Sequence, residues 1–461
     1  MASIAIRCLN ARLRASIITK GPGINSAYRL NSRASSAQTF QSRLCSTSGA
    51  FPTQEKPRSF PTTGFEVIKP DQPAEEEQLV GYKAHRYYPV HIGKVFQDRY
   101  QVCSKLGWGS CSTTWLARDL RFVGFNRLFK YPITDSRRDK KYVALKVHIN
   151  DSMFHRELPF YQHIAPHMSS DHPGRENIRR FMDSFTVTGP DGKHIVLVQE
   201  PAHISLYDLL TERMSEARFP EEAVKLILVE LLQALDFLHT ECEAVHTDVH
   251  FGNLLACVDD ARNAVFKNIE ESEITTPSAR KQVSSDRTIY ASRALLPDEG
   301  PLKLSDFGEA RIGPGPYEYH AMPMSQRAPE ITLEAPWSYP IDIWSVGLTA
   351  CDLLGLERLF SADHTAGDLY QATHLAEMIA VLGPPPAGFL ALNPEIAAGY
   401  WDGDGKWGDI VPIPEKPMLE SLEGQMGLPR EFVGFLRRTL SWMPSERATA
   451  KDLLEDPWLK S

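Results

Sequence analysis

Val245–Leu255 reads VHTDVHFGNLL and sets Asp248 five residues before Asn253, with an apolar pair, Leu254–Leu255, directly behind. A carboxylate at the first position can accept a hydroxyl proton. A neutral amide five residues on can hold a metal ion, and phosphoryl transfer uses that pairing. Thr247 precedes the carboxylate and His250 follows it by two residues.

At 461 residues the chain can bury a large core and is long enough for two lobes or domains. With 42% hydrophobic and 23% charged residues it reads as globular. It contains no run of eighteen apolar residues, so no membrane span is expected. The seven cysteines (Cys8, Cys45, Cys103, Cys111, Cys242, Cys257, Cys351) are scattered and form no C-x-x-C pair. That argues against a disulfide framework or structural zinc and for a reduced compartment. The net charge of −8 is uneven. Residues 1–50 hold seven basic residues and no acid, so the remainder carries 43 basic against 58 acidic residues, a net −15. An acidic body disfavours nucleic-acid binding and is compatible with a basic protein substrate, although solubility alone accounts for it equally well.

In residues 1–50, Ile4, Ile6, Leu9 and Leu13 alternate with Arg7, Arg12 and Arg14 in a Ser-rich setting. This is the pattern of a mitochondrial presequence, with a processing site near Arg43–Ser46, or of a disordered basic tail on a cytosolic or nuclear protein. Residues 48–85, with Pro52, Pro57, Pro61, Pro70 and Pro73, read as an extended linker. Order is expected from about Tyr87–Val90. Short alternating strands follow from Tyr100, with Gly107-Trp108-Gly109 at a turn between two of them. Glycines there let backbone approach a polyanion, and a plain surface hairpin fits equally well.

Val143-Ala144-Leu145-Lys146 places a lysine inside an apolar strand, where an unpaired ammonium is costly. It needs a fixed anion, and Glu157, eleven residues on, is the candidate. His194–Glu200 reads as a buried strand. After Pro220, which suits a helix start, EEAVKLILVELLQALDFLHTE has an apolar face at helical spacing and is core. Residues 257–300 are charged and without clear periodicity, and read as an insertion loop with about one helical turn. Leu302–Gly308, LKLSDFG, then brings a second carboxylate, Asp306, to the end of a strand.

In this order over about residues 95–459, GWGSCSTTWLA, VALK, HTDxxxxN, SDFG, APE, DIWSVG and SERATAKDLLEDPWL resemble the eukaryotic protein kinase domain. Within it the chain is similar to the SR-protein kinase group in its fungal form. Glu75–Glu77 with Gly81-Tyr82, YYPVHIG, Leu106-Gly107-Trp108-Gly109 and His246-Thr247-Asp248 carry that likeness. The resemblance implies an α+β, bilobal protein kinase fold, with a small β-rich N-lobe and hinge over 86–203 and a larger helical C-lobe over 204–459. The insertion 257–300 belongs to the C-lobe. It implies transfer of the ATP γ-phosphate to protein Ser or Thr, with ATP and Mg2+ as cofactors and a basic or Arg/Ser-rich protein as partner.

Carried over by position, Lys146 orients the α/β-phosphates and Glu157 holds Lys146. Asp248 accepts the substrate proton, and Asn253 and Asp306 take the metals. The nucleotide is expected under Leu106, Gly107, Trp108, Gly109, Ser110 and Thr114, against Ala144. Gln199 guards the back of the pocket, and Glu200–His203 offer backbone groups to adenine. Asp342 is expected to brace the catalytic loop, and Arg447 to pair with Glu330.

The departures from the family are informative. Ser112 replaces the third glycine of the phosphate loop. His250 stands where the family has a lysine that neutralises the γ-phosphate, a contact of a few kcal/mol by order of magnitude. Thr247 replaces the arginine that binds an activation-segment phosphate, and the 24 residues from Asp306 to Glu330 carry only Tyr317, Tyr319 and Ser325 as hydroxyl bearers. An activation segment set without phosphorylation follows. Two other readings stand beside the kinase: a weakened domain serving as nucleotide-binding scaffold, and a small-molecule kinase.

Overall fold

The structure is a computed structural model, and it describes residues 55–121, 141–150, 156–202, 204–213, 218–257, 264–293, 300–361, 367, 369–423 and 427–461. The presequence reading of residues 1–47, with Cys8 and Cys45, and His203 of the adenine segment lie outside the described residues.

The N-lobe is built on a six-stranded antiparallel sheet in the order β1-β2-β3-β4-β6-β5. The strands are β1 (Val95–Phe96), β2 (Tyr100–Gly109), β3 (Ser112–Asp119), β4 (Tyr142–His148), β5 (Phe181–Gly189) and β6 (Gly192–Gln199). Every residue of β4 is buried because both faces of that strand are covered. Val143, Leu145 and Val147 enter one apolar cluster with Val102, Trp115 and Val198. Alternation then turns Lys146 and His148 to the opposite face, where helix α1 (Glu157–Ile164) buries Glu157, Phe160, Tyr161 and Ile164.

In the C-lobe, β7 (Ile204–Ser205) leads to helix α2 (Glu221–Asp236), whose apolar face (Val224, Ile227, Leu228, Leu231, Leu235) is buried. A π-turn over Phe237–Glu241 delivers the chain to β8 (Ala244–Val245) and the catalytic loop. Strand β9 (Leu254–Ala256) pairs antiparallel with β12 (Leu302–Leu304), Leu254 opposite Leu304. Asn253, just before β9, and Asp306, just after β12, therefore meet at one end of the ladder despite their distance in sequence. Strand β13 (Arg311–Ile312) pairs with β8 and brings the chain after Asp306 beside the entry to the loop.

Helix α4 (Pro340–Leu353) is buried almost all round, as a lobe's central helix must be. At Gly347 a Cβ would lie 2.4 Å from Thr439 Oγ1 and 2.9 Å from Leu440, so glycine permits the close approach of α6 (Arg430–Thr439). Helix α5 (Tyr370–Leu382) packs beside the segment that precedes Glu330. Among the described residues no helix is long and apolar enough to cross a membrane.

Two expectations are corrected. The described part of the linker, residues 55–85, is docked on the N-lobe and not a free tether. Gln101 and the Arg58 backbone exchange hydrogen bonds of 2.8 and 2.7 Å, and fully buried Lys105 pairs with Glu76 and, at 3.3 Å, with Glu75. The strap carries short 3-10 turns at Glu75–Gln78 and Ala84–Arg86, and its acids meet buried cations. The insertion is likewise ordered where described: helix α3 (Ala264–Thr275) and a hairpin of β10 (Arg280–Gln282) and β11 (Thr288–Tyr290). Phe266 and Ile269 of α3 join Cys103, Leu116 and Tyr142 of the N-lobe sheet. Glu270 and Glu273 are fully buried on the same helix, which hides its inner face from an apolar count. Glu270 takes the Tyr142 hydroxyl at 2.7 Å, and Glu273 takes Arg280 and Arg293 at 3.2 and 2.7 Å.

Candidate active site

Strand alternation aims Lys146 at α1, and its ammonium lies 2.7 Å from Glu157 Oε2 and 3.0 Å from Asp306 Oδ1. Burial alone would draw this ammonium down; Asp306 and Glu157 outweigh it and hold it above the ordinary lysine value. Burial would likewise raise the Glu157 carboxyl, but Lys146 and then His148 keep it well below the usual range. The pair is therefore ionic wherever the protein is folded near neutrality. His148, which its own sequence neighbours do not single out, sits with Nε2 3.4 Å from the same Glu157 oxygen. Gln199 is fully buried behind the pair and donates to Glu157 Oε1 and the Tyr161 hydroxyl, 3.2 Å each.

The catalytic loop hangs from Asp342, whose carboxylate accepts the backbone N–H of His246 at 2.8 Å and of Thr247 at 2.7 Å. His239 adds a third donor to the same carboxylate at 2.9 Å, and Asp342 is fully buried. Thr247 adopts φ 70°, costly for a β-branched residue by about 1–3 kcal/mol. Those Asp342 contacts, and a 2.8 Å bond from the Thr247 hydroxyl to the Glu309 carbonyl, hold it there. His246 is fully buried, and burial depresses its pKa despite nearby carboxylates. Its neutral ring accepts the Asp248 N–H at Nδ1, donates to the Ser305 carbonyl, and packs edge-on against Phe307. Phe307 in turn stacks on Phe160 of α1, at 4.5 Å between centroids. One aromatic column thus ties α1, the Asp306 turn and the catalytic loop together.

Asp248 and Asn253 face each other: the amide nitrogen donates to the Asp248 carbonyl at 2.9 Å and to Oδ2 at 3.1 Å. Burial pushes the Asp248 carboxyl up, but His250 and Asn253 prevail and it is held below the usual value. Its Oδ1 is buried with no hydrogen-bond donor, an unmet acceptor on the carboxylate that the kinase resemblance makes the proton acceptor. His250 accepts the Gly252 N–H at Nδ1, 3.1 Å, so its ring proton sits on Nε2, 3.7 Å from Asp248 Oδ1. The nitrogen donations leave the Asn253 amide oxygen free to bind, beside a half-exposed Asp306 carboxylate with φ 62°. Two hard oxygen donors and no soft ligand fit magnesium, which takes few protein ligands and completes its shell with water and phosphate.

The hairpin of β2 and β3 turns at Ser110-Cys111, with Gly109 opposite Ser112 and Thr114 opposite Lys146. Trp108 is exposed near the tip, Leu106 packs on the sheet, and Ala144 lies fully buried beside Lys146. Tyr87, also missed in sequence, places its hydroxyl 3.0 Å from the carbonyl oxygens of both Gly109 and Ser110. At the hinge, Glu200 spends its N–H on Arg180, 2.9 Å, and its carbonyl accepts from Arg179 at 3.2 Å.

Below the loop, Arg447 binds Glu330 with two bonds of 2.7 and 2.6 Å, both side chains fully buried. A half-buried carboxylate at the end of α4, Asp352, lies near His250 and Arg358. Burial pushes it up to about 6, while the Arg358 guanidinium and then His250 pull it back. Neither of them, nor any other described residue, pairs with it. Its position relative to the loop could not be read from a helical string.

The protein kinase domain family matches residues 133–459. A serine/threonine protein kinase of Aspergillus fumigatus is 36% identical over 410 residues, covering 87% of this chain and 95% of its own. SRSF protein kinase 3 of Mus musculus is 32% identical over 533 residues, covering 84% of this chain and 90% of its own. A solved kinase-domain crystal structure at 22% identity superposes with a TM-score of 0.58 over 81% of this chain and 99% of that one, a likeness of fold. The chain therefore belongs to the protein kinase family, among the serine/threonine kinases related to the SRSF protein kinases.

Proposed function

We propose that this serine/threonine kinase acts on serines flanked by arginine, with Asp248 receiving the hydroxyl proton. The observation that carries the substrate reading is Asp352. A carboxylate beside the catalytic loop that burial pushes up to about 6, with Arg358 and His250 near it but neither in an ion pair with it, gains most from a guanidinium brought by the substrate. The name of the murine relative, an SRSF protein kinase, supports the same choice.

In this reading Lys146, fixed by Glu157, orients the α/β-phosphates, and the hairpin from Leu106 to Thr114 covers them. Asn253 and Asp306 would hold magnesium, which would neutralise charge on the phosphate oxygens. Asp248 aligns the acceptor hydroxyl through its free oxygen and takes its proton. His250, with Nε2–H toward Asp248, steadies that carboxylate and puts a polar hydrogen beside the site of transfer. The Asp342 and Phe307 contacts keep the loop in place during transfer.

The experiment is phosphate transfer to matched peptides, one with Arg-Ser repeats and one with each arginine replaced by alanine. The Arg-Ser peptide should have the lower KM by about tenfold or more, and Asp352→Asn should erase most of that preference. Equal use of both peptides would refute the substrate assignment.

The acid-free, arginine-rich residues 1–50 support delivery to mitochondria. Splicing factors are not mitochondrial substrates, so this destination implies a different arginine-flanked protein. A reporter fused to residues 1–50 should mark mitochondria, and a diffuse signal would remove the proposal.

A further inference from the structure

The arginine that binds an activation-segment phosphate is missing, yet the segment is held. Thr247 donates its hydroxyl to the Glu309 carbonyl at 2.8 Å. From that same residue the carboxylate reaches two arginines: Arg156 Nη1 lies 3.1 Å and Arg311 Nη1 3.7 Å from Oε2. Arg156 is the residue at the N-terminus of α1, immediately before Glu157. Arg311 lies on β13 opposite Val245, two residues before Thr247. Burial, and then the neighbouring Arg156, depress the Arg311 guanidinium. Two cations therefore crowd one place, and Glu309 is the anion between them.

Of the segment's hydroxyls, that of Tyr317 is engaged within the segment, while the Tyr319 side chain is exposed. Tyr317 spends its hydroxyl on the carbonyls of Ile312 and Gly313, at 2.9 and 2.7 Å, and its ring packs on Trp337. The Trp337 indole in turn donates to the Tyr319 carbonyl at 2.6 Å.

We propose that the Glu309 carboxylate is a built-in substitute for the activation-segment phosphate: with Arg156 and Arg311 it clamps α1, the Asp306 turn and the catalytic loop in the transfer-competent arrangement. This rests on the kinase reading of the site. Glu309 is a positioning residue that acts through Arg156 on Glu157 and through its carbonyl on Thr247. Its side chain is 64% exposed and that of Arg156 42%, so the clamp is open to salt and each pair is weak. A carboxylate carries less charge than a phosphate and cannot be removed by a phosphatase, so the clamp is permanent and modest.

The test compares the full chain with Glu309→Gln, Glu309→Asp and Arg156→Gln, at low and at high salt. Two readouts are taken: kcat and ATP KM for phosphate transfer, and amide hydrogen exchange over residues 309–320. Glu309→Gln and Arg156→Gln should lower kcat about two- to fivefold at low salt with ATP KM unmoved, and amides 309–320 should exchange faster. Glu309→Asp should retain most activity, and high salt should close the gap between wild type and the Gln variants. Unchanged kcat and exchange in Glu309→Gln would overturn the clamp, as would an equal loss in Glu309→Asp at both salt levels. A wild type that transfers no phosphate would refute the kinase reading, and the exchange comparison would still decide the clamp.

Discussion

His250 points Nε2 at Asp248 Oδ1 across 3.7 Å, in the place where the kinase family carries a lysine. The ring is set from behind by the Gly252 N–H, and a Cβ at Gly252 would lie 2.8 Å from Cε1 and Nδ1 of the imidazole. The glycine is therefore part of how the ring is aimed. His250→Ala is expected to lower kcat about ten- to hundredfold with a small change in ATP KM, the range for one electrostatic contact in a transition state. Gly252→Ala should lower it in the same direction by less, because the ring is displaced and not removed. Steady-state kinetics of both variants check this; an unchanged kcat in His250→Ala would leave the ring without a role.

Asp352 should reveal itself in stability. Its folded carboxyl is pushed up to about 6 against an ordinary value of 3.8, so between about pH 4 and pH 6 the folded protein keeps a proton that the unfolded chain has released. Stability attributable to this group therefore falls as pH rises through that window and stays low above it. Each tenfold weakening of an acid corresponds to ~1.4 kcal/mol, and local relaxation returns part of it. Asp352→Asn should accordingly stabilise the protein at pH 7 by about 1–3 kcal/mol. At pH 4 the gain should vanish. Urea denaturation at the two pH values measures it, and a gain of equal size at both would contradict the assignment.

The Glu330–Arg447 pair is fully buried and bidentate. Arg447→Leu strands the carboxylate and should cost about 3–5 kcal/mol, while Arg447→Leu with Glu330→Leu should recover most of it. Thermal unfolding of the single and double variants gives the comparison.

Tyr87 holds the tip of the phosphate-covering hairpin from outside the sheet, through carbonyls of Gly109 and Ser110. Tyr87→Phe loses a bond of about 0.5–1.5 kcal/mol and should raise ATP KM about two- to tenfold with kcat nearly constant. Nucleotide titration by intrinsic fluorescence checks the same quantity without turnover.

Local strings carried Lys146, Asp248, Asn253 and Asp306, because phosphate chemistry demands those groups at fixed spacings. Asp342 and Arg447 were legible for the same reason, and the structure brings each to its expected partner. Tyr87, His148, His239 and Glu309 were not legible. Each acts on a residue far along the chain, and nothing in its own neighbours announces the contact. The strap and the insertion were misread for one shared reason. Their inward faces bury Glu76, Glu270 and Glu273 in ion pairs with Lys105, Arg118, Arg280 and Arg293, so a pattern search that counts apolar residues sees a solvated face. Buried charge pairs are invisible to hydrophobic periodicity.

The central claim is that Asp248, Asn253, Lys146 and Asp306 form a working phosphotransfer site despite His250. Transfer of label from γ-radiolabelled ATP to an Arg-Ser peptide tests it most directly, in wild type and in Asp248→Asn and Asp306→Asn. Wild type should label the peptide while both variants fall by about a hundredfold or more, with nucleotide binding kept in Asp248→Asn. A wild type that binds ATP yet transfers no more label than the two variants would contradict the account.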